Sequence, residues 1–198
     1  MTFALAVVVL LLVPVSVQLL SRRLPVAPEV LRKLVHIGGA LLAVPLPLFL
    51  SYRQIVVLGL TFAVLMAISR QARIFSAVHD VDRRTYGEIL FPLGVALLAA
   101  VFPHGEPYVY GVLVLGLADG LAALVGTRYG RVRLPGGKSV WGSLTFFVVA
   151  LAAALALVGA TYVALVAAVA LTAAEASLRH GFDNLVVPSL AALLLSLA

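Results

Sequence analysis

Long apolar runs separated by short polar gaps dominate the chain. A hydrocarbon core of about 30 Å is crossed by roughly 20 apolar residues in a helix. Eight runs approach or reach that length, at about 3–20, 33–50, 54–69, 87–102, 108–127, 140–159, 161–177 and 182–198. The third and last are near the lower limit, so seven spans with a re-entrant segment is the alternative. Because no segment alternates polar and apolar residues as a membrane β-strand does, the pattern predicts an all-α integral membrane protein.

The basic residues fall in alternate gaps between these runs. Every Lys and Arg except Arg53 follows the first, third, fifth or seventh run. Positive residues concentrate in cytoplasmic loops, so the pattern predicts about eight transmembrane helices with both termini outside. The first run has Arg22 and Arg23 after it and no positive residue before it, the reverse of a secretory signal. The polar segment 70–84 is either an amphipathic helix at the membrane surface or a solvated loop.

Composition supports the membrane class and narrows the partners. Hydrophobic residues make up 63% of the 198 positions and charged residues 11%, whereas a soluble domain carries about 25% charged residues. Residues 1–198 are therefore interpreted as one membrane domain. The net charge of +6 does not indicate a nucleic-acid partner, because the basic residues are confined to gaps between apolar runs. The Arg, Ala, Leu and Val bias suggests a bacterial protein, and hence the plasma (inner) membrane.

Asp119 is the carboxylate placed most deeply within an apolar run. It precedes Arg128 by nine residues, which puts it about 13 Å from that end of a helix. Charges inside a bilayer are costly, so such a residue is a candidate functional group. Ala122, Gly126 and Gly130 follow at helical spacings and leave a stripe nearly free of side chains. Close helix packing explains the stripe but does not require the carboxylate, whereas a phosphorylated ligand with a divalent cation explains both.

The loop after this run contains a second candidate, Gly137, Lys138 and Ser139, followed by Gly142 and Ser143. Gly-Lys-Ser also ends a Walker A loop, but that motif needs a Gly five residues before Gly137, where this chain has Val, and a preceding strand. It is therefore not a P-loop. Exposed glycine N–H groups, the Lys138 charge and a helix start capped by Ser139 nevertheless suit an anion. The alternative is an ordinary positive cytoplasmic loop.

Further ionisable residues lie toward the same side of the membrane. They are Arg32, Lys33 and His36 at the second run, Glu88 in the fourth, Glu175 at the end of the seventh, and Asp183 with Asn184 at the start of the eighth. Each has a simpler explanation: topology for the first two, an ordinary helix residue for His36, and a helix cap for Asp183. A transporter needs polar groups along a path through both leaflets. Polar chemistry on one side instead favours an enzyme that acts on lipid with a cytosolic cosubstrate.

Taken in order, these residues resemble the polyprenol kinase family, the family of dolichol kinase, phytol kinase and CTP-dependent diacylglycerol kinase. The resemblance rests on Arg32-Lys33-x-x-His36, Asp119-x-x-Ala122-x-x-x-Gly126-x-x-x-Gly130, Gly137-Lys138-Ser139-x-x-Gly142-Ser143, Glu175 and Asp183-Asn184-x-x-x-Pro188. It extends from about residue 28 to 190. No single motif is specific, but the ordered set is. Many relatives carry Glu where this chain has Trp141, which is closer to the phytol kinase pattern.

The resemblance implies transfer of the CTP γ-phosphate to the hydroxyl of an isoprenoid alcohol (phytol, geranylgeraniol or a polyprenol), with Mg²⁺ or another divalent cation. The implied nucleotide-binding residues are Arg32, Lys33, Ala122, Gly126, Gly130, Gly137, Lys138, Ser139, Gly142, Ser143 and Asn184. The implied catalytic residues are Asp119, Lys138, Asp183, Glu175 and His36, with Asp119, Asp183 and Glu88 as metal ligands. Which carboxylate binds metal and which one deprotonates the alcohol is left open.

Two other functions compete with this interpretation. A phosphatidate cytidylyltransferase also joins CTP to a membrane lipid, but the dense C-terminal run of charged residues typical of that family is missing from this sequence. A transporter or scaffold fits the composition equally well but leaves the one-sided motifs unexplained. Diacylglycerol is a further candidate acceptor within the kinase interpretation.

Overall fold

The computed structural model describes residues 2–79, 85–134, 137–159, 162–178 and 180–197. Over these residues the chain forms helices and no β-strand, which confirms the predicted all-α class. The helices are α1 (Phe3–Ser21), α2 (Pro28–Ala43), α3 (Tyr52–Ala72), α4 (Ser76–His79), α5 (Gly87–Val101), α6 (Gly105–Tyr129), α7 (Val140–Val158), α8 (Tyr162–Ser177) and α9 (Asp183–Ser196). A 3₁₀ turn follows α2 at Leu46–Leu48, and α6 contains a π-helical turn at Val114–Ala118.

The helices have the length and surface of membrane-embedded elements. Among the described residues, α1, α2 with its 3₁₀ turn, α3, α6 and α7 are long and apolar enough to cross a membrane. Helices α5, α8 and α9 are apolar but shorter, at 10–17 residues. Large apolar side chains cover the outer surface, and Leu12, Val64 and Val148 are each more than half exposed. Such a surface requires a lipid environment, and the chain is a helical membrane protein.

The start of α2 differs from the predicted span. The helix begins at Pro28, a residue favoured at the first helical position, and not near residue 33. Arg32, Lys33 and His36 consequently lie inside the helix and are buried. An apolar-run boundary drawn at the first charged residue is wrong here, because Arg32 is neutralised by Glu29 in the same helix and Lys33 by Asp119, which is distant in sequence.

The segment after α3 is broken into shorter pieces. Helix α3 continues to Ala72 and ends where Arg73 adopts a left-handed conformation with φ of 54°. The short α4 then packs against α1 and α2, and the Gln18 side-chain amide donates to Ser76 Oγ over 3.3 Å. An unbroken amphipathic helix over residues 70–84 is therefore wrong for the part described. Residues 80–84, including Arg83 and Arg84, lie outside the described residues.

Contacts at the two ends of the bundle show that the apolar helices alternate in direction. At one end the Tyr86 N–H donates to the His180 carbonyl over 3.0 Å, which joins the loops before α5 and α9. At the other end Tyr108 donates its hydroxyl to the Ala43 carbonyl over 3.0 Å, and its ring meets Tyr52 edge-on. The loops rich in Arg and Lys therefore gather at the first end, which is called the basic end below.

Glycines in α6 allow α2 to pack closely against it. A Cβ atom on Gly116 would lie 2.0 Å from Ala40 Cβ, and one on Gly120 would lie 2.4 Å from an α2 side chain. Neither substitution fits without separating the helices, which is the packing role of small residues in membranes. The contact lays the charged first half of α2 beside the second half of α6, and so positions Lys33 opposite Asp119.

Candidate active site

A polar cavity opens between α2, α6, α7 and the end of α8 at the basic end. Its volume is about 450 Å³, within the range of about 300–1,000 Å³ that is usual for ligand pockets. Predicted site residues lining it are Lys33, Asp119, Ala122, Gly126, Gly137, Lys138, Ser139, Gly142, Ser143 and Glu175. These residues come from four separate stretches of sequence. The fold thus brings most of the predicted nucleotide-binding residues to one cavity.

Asp119 lies directly after the π turn of α6 and is 6% exposed. Its carboxylate accepts a hydrogen bond from the Lys33 ammonium, which is 3% exposed. The partner of this buried carboxylate therefore comes from another helix, α2. Breaking such a buried pair is costly, because the remaining charge is left without a partner.

Lys138 makes a second set of ion pairs beside the first. Its ammonium donates to Glu175 and, over 3.1 Å, to Asp183 Oδ2. Burial lowers the pKa of Lys138, but the Asp183, Asp119 and Glu175 carboxylates outweigh it and hold that pKa above its usual range. Lys138 therefore remains a cation throughout the physiological pH range and is held in place at the cavity wall.

The loop that carries Lys138 folds back on itself. The Leu134 N–H donates to the Lys138 carbonyl over 2.7 Å, and the Gly137 N–H donates to the Leu134 carbonyl over 2.8 Å. The expectation that Gly137 presents a free N–H to an anion is therefore wrong for this conformation, and Gly136 lies outside the described residues. Gly137 has φ of 85°, a conformation that glycine adopts readily. Its role here is to close the turn.

The helix that follows this loop packs tightly against α6. Ser139 Oγ accepts the Gly142 N–H over 3.0 Å and caps α7, as predicted. A Cβ atom on Gly130 would lie 2.2 Å from the Gly126 carbonyl oxygen and 2.4 Å from Ser139 Cβ. The small residues therefore hold α6 and α7 together while Ala122 and Gly126 also face the cavity. The same stripe of small residues thus packs α6 against α7 and gives the cavity a smooth wall.

Three carboxylates meet at the inner end of the cavity. Asp119, Glu175 and Asp183 each offer an oxygen atom, and these atoms lie within 4.8 Å of one another. Among the described residues, Glu175 Oε2, Ser143 Oγ and Asn184 Oδ1 are buried and have no hydrogen-bond partner. Carboxylate, amide and hydroxyl oxygens are the donors that Mg²⁺ and Ca²⁺ prefer. The donor set therefore fits a hard divalent cation.

Three other predicted site residues do not line the cavity: Arg32, His36 and Asn184. Arg32 is buried and held by Glu29 through contacts of 2.6 and 3.2 Å. His36 is buried against the Phe91 ring, with 4.7 Å between ring centroids. The Asn184 amide donates to the Gly87 carbonyl over 3.4 Å, so Asn184 joins α9 to the start of α5.

Glu88 takes part in a different group. It accepts a hydrogen bond from Arg70 and lies 3.5 Å from His79 Nδ1. Glu175 and not Glu88 is the third carboxylate beside Asp119 and Asp183. The sequence offered no means to choose between the two, because both are one turn from a helix end on the same side.

Sequence reasoning did not single out three polar residues that also line the cavity, Glu29, Thr127 and Arg133. Glu29 lies in the first turn of α2, three residues before Arg32, and that i,i+3 pairing was visible in the sequence. Arg133 was interpreted only as a topology signal. Its guanidinium donates to the Gly137 carbonyl over 3.2 Å and stays exposed at the cavity mouth.

Comparison with known proteins adds an independent line of evidence. No protein-family model matches the chain, and no solved structure matches it. The chain is 35% identical over 185 residues to the phytol kinase of Synechocystis sp. (strain ATCC 27184 / PCC 6803 / Kazusa), an alignment that covers 85% of this chain and 79% of the relative. At that identity and coverage the resemblance seen in the ordered motifs is confirmed: this membrane-embedded chain belongs to the polyprenol kinase family.

Proposed function

We propose that the protein transfers the γ-phosphate of CTP to the hydroxyl of an isoprenoid alcohol. The observation that carries this proposal is the convergence of Asp119, Glu175 and two lysines on one cavity at the basic end, with Asp183 bonded to Lys138 beside them. A metal–nucleotide complex needs oxygen ligands for the cation and positive groups for the phosphates. Both are present, and the relative of known function is a phytol kinase.

The ion pairs of the cavity suggest how a nucleotide would be bound. Lys33 and Lys138 are held by the carboxylates that would coordinate a cation, Asp119, Glu175 and Asp183. A bound divalent cation neutralises negative charge and polarises the γ-phosphoryl group. If those carboxylates held a cation, the Lys33 and Lys138 ammonium groups would be available to donate to the phosphate oxygens. Arg133 at the mouth adds a further cation for the nucleotide.

The reaction needs positioning and charge neutralisation more than covalent chemistry by the protein. The alcohol oxygen forms a bond to the γ-phosphorus while the bond from that phosphorus to the β–γ bridging oxygen breaks. The hydroxyl proton passes to a carboxylate, Asp119 or Asp183, and the products are a lipid monophosphate and CDP. Lys138 stabilises the negative charge that develops on the leaving diphosphate.

The same proposal includes eight transmembrane helices with the cavity facing the cytoplasm of a bacterial plasma membrane and both termini outside. The alternating helix directions support it, because they gather the described basic loops at one end of the bundle. Arg179, which the sequence assigns to the same side, lies outside the described residues.

The decisive experiment uses purified protein in detergent with γ-labelled CTP or ATP. Phytol, geranylgeraniol, a longer polyprenol and diacylglycerol are offered in turn, with Mg²⁺ or with EDTA. The expected result is labelled isoprenyl monophosphate that depends on CTP and Mg²⁺. Absence of a labelled product from every isoprenoid alcohol would overturn the proposal, and transfer from ATP alone would correct the donor.

A further inference from the structure

A second cleft lies on the other side of α2, between α1, α2, α3 and α5. Its walls are almost entirely apolar, and among its lining residues only His36 and Glu88 carry ionisable side chains. The enclosed volume is about 80 Å³, and several lining residues, such as Val13 and Phe62, are only partly buried. The cleft therefore encloses a short length of chain and is open on the side that faces lipid.

Polarity changes in one direction along this cleft. On α2 the lining passes from His36 to Gly39 and Ala43, and on α5 it passes from Glu88 to Val95. His36 and Glu88 lie toward the basic end, whereas Ala43 lies at the opposite end, next to Tyr108. A long apolar molecule with one polar group at its tip matches this gradient.

Glu88 presents an unsatisfied atom at the polar end of the cleft. The residue is 4% exposed, and its Oε1 is held by Arg70 and His79. Among the described residues, Glu88 Oε2 has no hydrogen-bond partner. A buried carboxylate oxygen without a donor is costly, and a hydroxyl group is a suitable donor for it.

The polar end of the cleft adjoins the carboxylate cluster. Gly87, the residue before Glu88, accepts a hydrogen bond from the Asn184 side chain, and Asn184 follows Asp183. A Cβ atom on Gly87 would lie 2.7 Å from Arg32 Nη1 and 2.9 Å from Asn184 Nδ2, so these groups are packed without a gap. A hydroxyl at Glu88 is thus separated from the cluster by one layer of side chains.

We propose that, before phosphate transfer, this cleft binds the first part of the isoprenoid chain of the alcohol substrate, with the hydroxyl donating to Glu88 Oε2; for transfer the hydroxyl leaves Glu88 and reaches the carboxylate cluster. The proposal rests on the proposed function for the identity of the ligand. It assigns Glu88 to positioning the acceptor rather than to binding metal. The remainder of the chain lies along the open side of the cleft, in contact with membrane lipid.

The test uses the full-length protein and a photoreactive analogue of geranylgeraniol, first without nucleotide. Crosslinks are expected on the facing sides of α1, α2, α3 and α5. Val13→Trp fills the cleft and should raise the KM for geranylgeraniol at least tenfold without changing the KM for CTP. Leu12→Trp on the lipid-facing side of the same helix is the matched control, since Leu12 is 55% exposed and does not line the cleft. Glu88→Gln should raise the KM for the alcohol by a smaller factor.

The outcomes separate this proposal from the proposed function. Crosslinks that map to other helices, or competition by a straight-chain phospholipid as strong as by geranylgeraniol, would overturn the cleft assignment. An unchanged KM for geranylgeraniol in Val13→Trp would do so as well while leaving the kinase function intact. Crosslinking in the cleft without phosphate transfer to any alcohol would support the cleft and contradict the function. The crosslink map of the unmodified protein decides the matter even if a variant does not fold.

Discussion

The polar cavity and the apolar cleft share helix α2 but differ in nearly every other property. The cavity is lined by paired charges, including Lys33 with Asp119. The cleft, lined by His36 one turn farther along α2, is apolar except at one end. One helix therefore separates the space suited to a water-soluble cosubstrate from the space suited to a lipid. A membrane enzyme that joins two such molecules needs this arrangement, because they arrive from different solvents.

The side chains that pack around the cavity and the cleft also differ in size. Behind the cavity, α7 and α8 meet through alanines such as Ala150, Ala154, Ala164 and Ala168, all buried. Around the cleft, the core consists mainly of larger side chains such as Leu58 and Leu98. Small side chains let helices approach closely and leave little freedom to shift. The charged groups therefore lie beside the alanine-rich half of the bundle.

The largest effect is expected from Asp119→Asn, which removes a charge from the cavity and leaves the cleft untouched. Phosphate transfer should be abolished, because both the proposed cation and Lys33 lose a carboxylate. The substitution should also lower the free energy of unfolding by about 3–5 kcal/mol, because Lys33 is left buried and unpaired. Turnover assays and thermal melting in detergent measure the two effects separately.

The double variant Lys33→Met/Asp119→Asn distinguishes stability from chemistry. It should recover most of the lost stability, since no unpaired buried charge remains, but none of the activity. Glu106→Gln at the opposite end of the bundle is the control carboxylate substitution, with no expected effect on either readout. Activity at the normal rate in Asp119→Asn would contradict a catalytic role.

Lys138→Ala should give the next largest effect, confined to the cavity. Turnover should fall at least tenfold, about 1.4 kcal/mol in transition-state free energy, and the KM for the lipid alcohol should stay unchanged. Arg131→Ala is the matched control, because Arg131 is an exposed cation in the same loop. Equal activity in both variants would show that Lys138 contributes only to the positive charge of a cytoplasmic loop and not to catalysis.

Gly130→Ala should act through packing and not through nucleotide contact. The added methyl group meets the Gly126 carbonyl and Ser139, and overpacking of this kind costs about 1–3 kcal/mol. The midpoint of thermal unfolding should fall. Unchanged stability with weakened CTP binding would instead support the direct nucleotide contact implied by the family resemblance.

The smallest effect on activity is expected from two single cysteine substitutions. They report which side of the membrane each end of the helical bundle faces. The chain has no cysteine of its own, so His104→Cys and Arg131→Cys each provide a single thiol on an exposed residue. An impermeant maleimide should label them from opposite sides of sealed vesicles. Labelling of both from one side would contradict the eight-span arrangement.

The sequence predicted the helices better than it predicted their ends. Apolar runs locate each helix because the bilayer requires them, and Ser139 signals a cap that depends only on residues nearby. The start of α2 was missed because Lys33 has its partner in Asp119, 86 residues away. Local pattern cannot show that a charge is neutralised by a distant one, so it places the start of the helix at the wrong residue.

The candidate site was predictable in its members but not in their pairing. Ordered motifs identified Asp119, Lys138, Glu175 and Asp183 as a set, and the fold brings them together. Their one-sided placement could not decide whether Glu88 belongs with them. Whether Glu88 or Glu175 joins the cluster depends on how α5, α8 and α9 are rotated about their axes. That rotation is set by packing between the helices, and the hydrophobic pattern of the sequence does not encode it.

The π turn at Val114–Ala118 makes the length of α6 as important as its residues. Such a turn holds one residue more than an α-helical turn and is often found at functional sites. In an α-helix each residue rotates the chain by about 100°. Because the turn takes up its extra residue locally, deleting one residue within it would restore regular geometry with Asp119 still facing Lys33. A one-residue deletion in a regular part of α6 would instead rotate the residues beyond it by that angle, so an alignment gap has a different meaning at the turn and outside it.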